Sequence, residues 1–107
     1  MSDKKPQFLY QFEATRPEMI TDPSTWTEED NRIARDHFAY LSQATEEGIV
    51  LLAGRSLDGI GPALVILEAD SAEAAEAFMN ADPFVSSGLM LARLHPFRAA
   101  LVRKRPI

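Results

Sequence analysis

The stretch Gly48-Ile-Val-Leu-Leu-Ala-Gly-Arg-Ser-Leu-Asp-Gly-Ile-Gly-Pro-Ala-Leu-Val-Ile-Leu67 decides the fold. Ile49–Ala53 is a short apolar run of strand type. Gly54–Gly61 holds three glycines and Asp58, the composition of a hairpin connection. Pro62–Leu67 is apolar throughout, the pattern of a strand covered on both faces. Two adjacent strands of this kind, flanked by helices, exclude a simple βαβ crossover at this point of the chain.

Working outward, Asn31–Gly48 reads as an amphipathic helix. At about 100° per residue, Ile33, His37, Leu41 and Ala44 share one arc, Tyr40 lies at its edge, and Arg32, Arg35, Gln43 and Glu46 lie opposite. Thr27 suits the N-cap, with Glu28, Glu29 and Asp30 favourable to the helix dipole, and Gly48 suits the exit. Before it, Gln7–Glu13 alternates as a half-buried strand does, with Phe8, Tyr10 and Phe12 on one face and Gln11 and Glu13 on the other. Ala14–Trp26, with Pro17 and Pro23 among polar residues, reads as a loop. Trp26 is its anchor or part of a lid.

Beyond the hairpin, Ser71 caps a second helix, Ala72–Asn80, whose apolar arc is Ala72, Ala75, Phe78 and Met79. Asp82-Pro83-Phe84 opens a further helical turn, and Met90–Val102 reads as a long final strand. Pro96 within it points to a sheet edge or a bulge.

The order β-α-β-β-α-β is the split βαβ pattern of a ferredoxin-like α+β fold, a four-stranded antiparallel sheet with two helices on one face. The expected organisation is one domain over 1–107, with its core at about 7–103, a loop insertion at 14–26 and a tail at 104–107. Two helices cover only one face of such a sheet. The doubly apolar third strand implies that the other is also buried, and a homodimer stacked through the sheet faces is the economical answer.

A chain of 107 residues buries roughly 65% of its unfolded surface, enough for a core. Its 11 Lys and Arg stand against 16 Asp and Glu, a net charge of −5 that repels phosphate backbones, so no nucleic-acid partner is expected. Arg103-Lys104-Arg105 reads as a solvated tail. The absence of cysteine excludes disulfides, thiolate metal sites and cysteine nucleophiles. Met1–Pro6 lacks an apolar segment after its charges, and no apolar run is long enough to span a membrane. The expectation is a cytoplasmic protein with no membrane partner.

Chemistry centres on two histidines, the side chains whose ordinary titration falls near neutral pH. His37 on the apolar stripe is either a satisfied core imidazole or the working part of a site. His95 alternates with Arg93 and Phe97 on one strand face and either lines a cavity or faces solvent. Arg93 and Arg98 are candidate anion contacts. Asp82 reads as an N-cap, with Pro83 at the first helical position. Neither histidine has a second histidine or a carboxylate at clear ligand spacing, so no metal is expected. Gly54, Gly59 and Gly61 match no phosphate-binding fingerprint, and no organic cofactor is expected.

The segments His37-Phe-Ala-Tyr-Leu41, Gly48-Ile-Val-Leu-Leu-Ala-Gly54, Asp70-Ser-Ala-Glu-Ala-Ala-Glu-Ala-Phe78, Ala81-Asp-Pro-Phe84, Gly88-Leu89 and Leu94-His-Pro-Phe97 occur in this order. Together they resemble the YCII-related (YciI-like) family over residues 7 to 103. The resemblance implies a ferredoxin-like domain that dimerises into an α/β barrel, similar in fold to muconolactone isomerase. It also implies a site built from a histidine of the first helix and the aspartate of an Asp-Pro-aromatic motif, here His37 and Asp82. Two departures stand out: the 14–26 loop is longer than the family pattern, and Gly54-Arg55 replaces a frequent Gly-Pro, adding a cation that bears on the pocket mouth or the ligand's charge.

One branch of the family is a dehydrochlorinase acting on a chlorinated hydroxyquinol. The resemblance therefore implies a cofactor-independent enzyme in which a His37–Asp82 pair performs acid–base chemistry, of isomerase or lyase type, on a small cyclic or aromatic metabolite. Arg55, Arg93, His95 and Tyr40 are its expected ligand contacts. The alternatives are a non-catalytic small-ligand-binding or accessory domain, and cofactor-independent oxidation of an aromatic substrate.

Overall fold

Phe8, Tyr10 and Phe12 alternate with Leu9, Gln11 and Glu13, and that alternation makes Gln7–Ala14 strand β1. The structure, a computed structural model, describes residues 5–103. Lys104 and Arg105 of the basic cluster, and the 104–107 tail as a whole, lie outside the described residues.

The remaining elements are α1 (Glu18–Thr21), a 3-10 turn (Pro23–Thr25), α2 (Glu28–Glu46), β2 (Val50–Arg55), β3 (Ala63–Glu68), α3 (Ala72–Ala81), α4 (Pro83–Ser86) and β4 (Met90–Phe97). The sheet order is β2-β3-β1-β4, antiparallel throughout. This is the ferredoxin-like arrangement, with β1 central between β3 and β4.

Register assigns the two faces. Phe8 lies opposite Leu67 and Pro96, Tyr10 opposite Val65 and Leu94, and Phe12 opposite Ala92. These side chains face α2 and α3. Phe8, Tyr10, Val65 and Leu67 form one core with Leu41 and Ala44 of α2 and Ala75 and Met79 of α3. The opposite face carries Leu9, Gln11, Leu64, Ile66, Arg93 and His95, and no helix among the described residues covers it. Within one chain β3 is therefore sealed on a single side: Val65 and Leu67 are fully buried, whereas Leu64 and Ile66 are half-buried.

Caps explain where α2 begins and ends. The Thr27 hydroxyl accepts the Asp30 N–H at 3.0 Å, while the Asp30 carboxylate accepts the Thr27 N–H at 3.0 Å, a reciprocal capping box. Gly48 follows the helix at φ +84, a left-handed conformation that an L side chain rarely adopts.

Three expectations change. The final strand stops at Phe97 and does not reach Val102, because Phe97 pairs with Gln7, the first residue of its neighbour β1. Beyond that point β4 has no partner strand, and the Gln7 side chain accepts the Ala99 N–H at 2.7 Å. The hairpin connection begins after Gly54 and Arg55, since both belong to β2 and pair with Leu64 and Ala63. The 14–26 segment contains two helical turns and is not irregular throughout. Pro17 opens the first, and the Asp22 side chain accepts the Ser24 N–H at 3.0 Å to start the second. Trp26 anchors this segment by donating its indole N–H to the Met19 carbonyl at 2.9 Å, and Met19 is buried with Ile33, Leu89 and Met90. Pro96 does sit on an edge strand, as its missing N–H requires. Among the described residues, no helix is long and apolar enough to cross a membrane.

Candidate functional site

Asp82 stands at the joint between α3 and α4. Its backbone N–H closes α3 on the Met79 carbonyl, and Pro83 takes the first position of α4. The carboxylate caps the new turn by accepting the Phe84 N–H on Oδ1 at 3.0 Å. The same Oδ1 meets Nδ1 of His37 at 2.7 Å. Oδ2 accepts the hydroxyl of Tyr10 at 2.9 Å. The aspartate is 0% exposed, so three donors from three elements replace its hydration.

An ionised carboxylate only accepts, so Nδ1 donates the shared hydrogen, and in the neutral imidazole Nε2 is then the nitrogen with a lone pair. Among the described residues Nε2 makes no hydrogen bond, and no buried side-chain nitrogen or oxygen lacks a partner. Nε2 therefore keeps access to solvent through the 16% of the side chain that is exposed. Aromatic rings fix the imidazole plane. Phe84 stacks on it at 3.8 Å and 20°, and Phe12 meets it edge-on at 5.5 Å and 81°.

Tyr10 is the residue that sequence reading missed. The sequence puts it with Phe8 and Phe12 on one face of β1 and gives it no partner. The available signal was chemical: of three inward rings in Phe8-Leu-Tyr-Gln-Phe12, one carries a hydroxyl, and a buried hydroxyl needs an acceptor. Burial, and then the neighbouring Asp82 charge, push its phenol far above the usual range, so it stays a donor.

Tyr40 closes a second contact, donating to the Phe78 carbonyl at 2.8 Å with its ring against Phe78 at 4.8 Å. Burial first and Asp82 second push its phenol up to about 12. Tyr40, Phe78 and Pro83 line an open groove where α2 meets α3 and α4.

The other expected ligand contacts lie elsewhere. Arg93 pairs in register with Gln11 and His95 with Leu9, so both sit exposed on the helix-free face, with the sheet between them and His37. That face was not assignable until β4 was aligned with β1. Arg55 is exposed at the end of β2 and makes no hydrogen bond or ion pair with His37 or Asp82. Arg98 is exposed just beyond β4.

The Tyr10 environment sets an alkaline limit. Because folding raises this phenol's affinity for its proton, stability is intact below the ordinary tyrosine value near 10 and is lost as pH rises above it. There the unfolded chain gives up a proton that the folded chain keeps. The expected loss is about 1.4 kcal/mol per pH unit from this residue. Urea unfolding between pH 9 and about 12 should show a steeper decline for wild type than for Tyr10→Phe. Parallel declines would remove this account.

Among solved structures, the fold is similar to 5-chloro-2-hydroxyhydroquinone dehydrochlorinase from Burkholderia phenoliruptrix AC1100, determined in complex with 2,5-dihydroxybenzoquinone. The TM-score is 0.60 at 24% identity, covering 86% of this chain and 93% of that one. No curated protein matches the chain in sequence. The profile of the YCII-related domain matches residues 3–98, nearly the whole length, and the chain belongs to that family.

Proposed function

We propose that this protein is an enzyme that moves a proton on a small hydroxylated aromatic or cyclic metabolite, with His37 as the acid–base group and Asp82 as its anchor. The observation that carries the reading is the 2.7 Å contact between Nδ1 and a fully buried carboxylate, which leaves Nε2 free to act. The base takes a proton from a ring hydroxyl or an adjacent carbon. If the ring bears a halide, return of that proton to the halide-bearing carbon gives the keto tautomer, and loss of a second hydroxyl proton then expels the halide with its bonding pair, so that one proton and one halide leave in total and a quinone remains. If it bears none, return of the proton at another position completes an isomerisation. Neither route asks for a metal or organic cofactor. The dehydrochlorinase of similar fold supports this substrate class.

The test is turnover of a panel of hydroxyquinols and halogenated hydroxyquinols by wild type and His37→Ala, followed by quinone absorbance and halide release. Activity in wild type and its loss in the variant are expected. No turnover of any member would overturn the substrate class, and equal turnover by both proteins would overturn the role of His37.

A homodimer through the sheet faces belongs to the same proposal. It rests on Leu52 and Leu91, 54% and 59% exposed on that face together with Phe97. A sedimentation mass of one 11.9 kDa chain would remove it. The second reading, a non-catalytic ligand-binding module, is favoured by one observation: the Asp82 bonds also cap α4 and tie it to β1, as a purely structural network would.

A further inference from the structure

The proposed chemistry employs His37 and Asp82 and leaves one buried titratable group at the site without a role. We infer that Tyr10 is a positioning residue that sets the orientation and proton affinity of His37 by holding the far oxygen of Asp82. The inference rests on the acid–base reading for its functional meaning, and on geometry for its substance.

Oδ1 already serves two donors, the His37 imidazole and the Phe84 N–H. Oδ2 has one donor among the described residues, the Tyr10 hydroxyl at 2.9 Å. Without it a buried, charged oxygen would have no partner. The carboxylate would turn to bring both oxygens toward the imidazole, and the ring plane would follow. Tyr10 cannot drift to accommodate such a turn. It is 0% exposed, sits mid-strand in β1, and lies opposite Val65 on one side and Leu94 on the other.

The hydroxyl also draws negative charge toward Oδ2. Less charge is then left on Oδ1 to stabilise an imidazolium, so the bond holds the proton affinity of His37 down. Other groups facing the pair are few. From α2 come His37 itself and Tyr40, whose hydroxyl is committed to the Phe78 carbonyl. From α4, β1 and β4 come Phe84, Phe12, Ala92 and Leu94, all apolar. Asp36, next to His37 in sequence, is exposed and paired with Arg32 at 3.1 Å.

The test is an NMR titration of the imidazole signals in wild type and Tyr10→Phe, with exposed His95 as the internal reference. In Tyr10→Phe the His37 midpoint is expected at higher pH, by about half a unit, with His95 unmoved. A second protein carries fluorinated tyrosine at position 10 in a Tyr40→Phe background. Its stronger donor is expected to move the His37 midpoint to lower pH, and it decides the matter if Tyr10→Phe does not fold. A midpoint that stays in place, or moves in the same direction in both proteins, overturns the inference. The titration needs no substrate, so it can succeed where the turnover test of His37 fails, or fail where that test succeeds.

Discussion

Asp82→Ala is expected to lower the free energy of unfolding by about 2–4 kcal/mol. The loss has two sources. Removing the carboxylate uncaps α4, typically about 1 kcal/mol. It also strands the Tyr10 hydroxyl, and an unsatisfied buried donor costs about 1–3 kcal/mol. His37 loses its orienting partner in the same step. Asp82→Asn should be far milder in urea, because its amide oxygen can still cap Phe84 and its NH2 can donate to a rotated Tyr10 hydroxyl. In turnover the asparagine variant should be nearly as impaired as the alanine one, since a neutral amide does not stabilise an imidazolium. Equilibrium unfolding of both variants separates the two effects. An alanine variant within about 1 kcal/mol of wild type would mean that the three bonds carry little of the fold.

His37→Ala is expected to behave in the opposite way. Its ring reaches the surface and its loss empties a space beside Phe84, so a stability cost of about 1–2 kcal/mol is expected. Turnover of a responding hydroxyquinol should fall by about 10²–10⁴, the range that a positioned acid–base group supplies. Added imidazole, able to enter the vacated space against Phe84, should restore part of the rate. A variant that keeps full turnover would make the contact with Asp82 a structural one.

The elements with local causes were legible in sequence. Thr27 and Asp30 announce the start of α2, Gly48 its exit, and Asp82-Pro83 the joint between the last two helices. The apolar run at 62–67 placed β3, and the alternation at 7–13 placed β1. Features that depend on a neighbour were not legible. The end of β4 is set by where β1 starts, 90 residues away in sequence, as Gln7 and Phe97 pair. Arg93 and His95 could be placed on one face of a strand, but which face looks at the helices is a property of register.

The site divides along the same line. His37 was marked by its place on an apolar stripe, and Asp82 by its place before a proline. Their meeting across 45 residues follows from the fold and came to the sequence only through the family resemblance. Tyr10 went unread because a tyrosine among phenylalanines fits any buried strand, and its partner is known only once α3 and α4 are set against β1.

One carboxylate thus fastens a bend in the scaffold and steadies the imidazole proposed to meet the ligand. Mutational drift toward a new substrate cannot retune the second duty without loosening the first. Diversification among relatives should then spare this position and fall on the half-buried rings around it, Phe12 and Phe84, where altered size or polarity reshapes the imidazole's surroundings without removing the cap of α4.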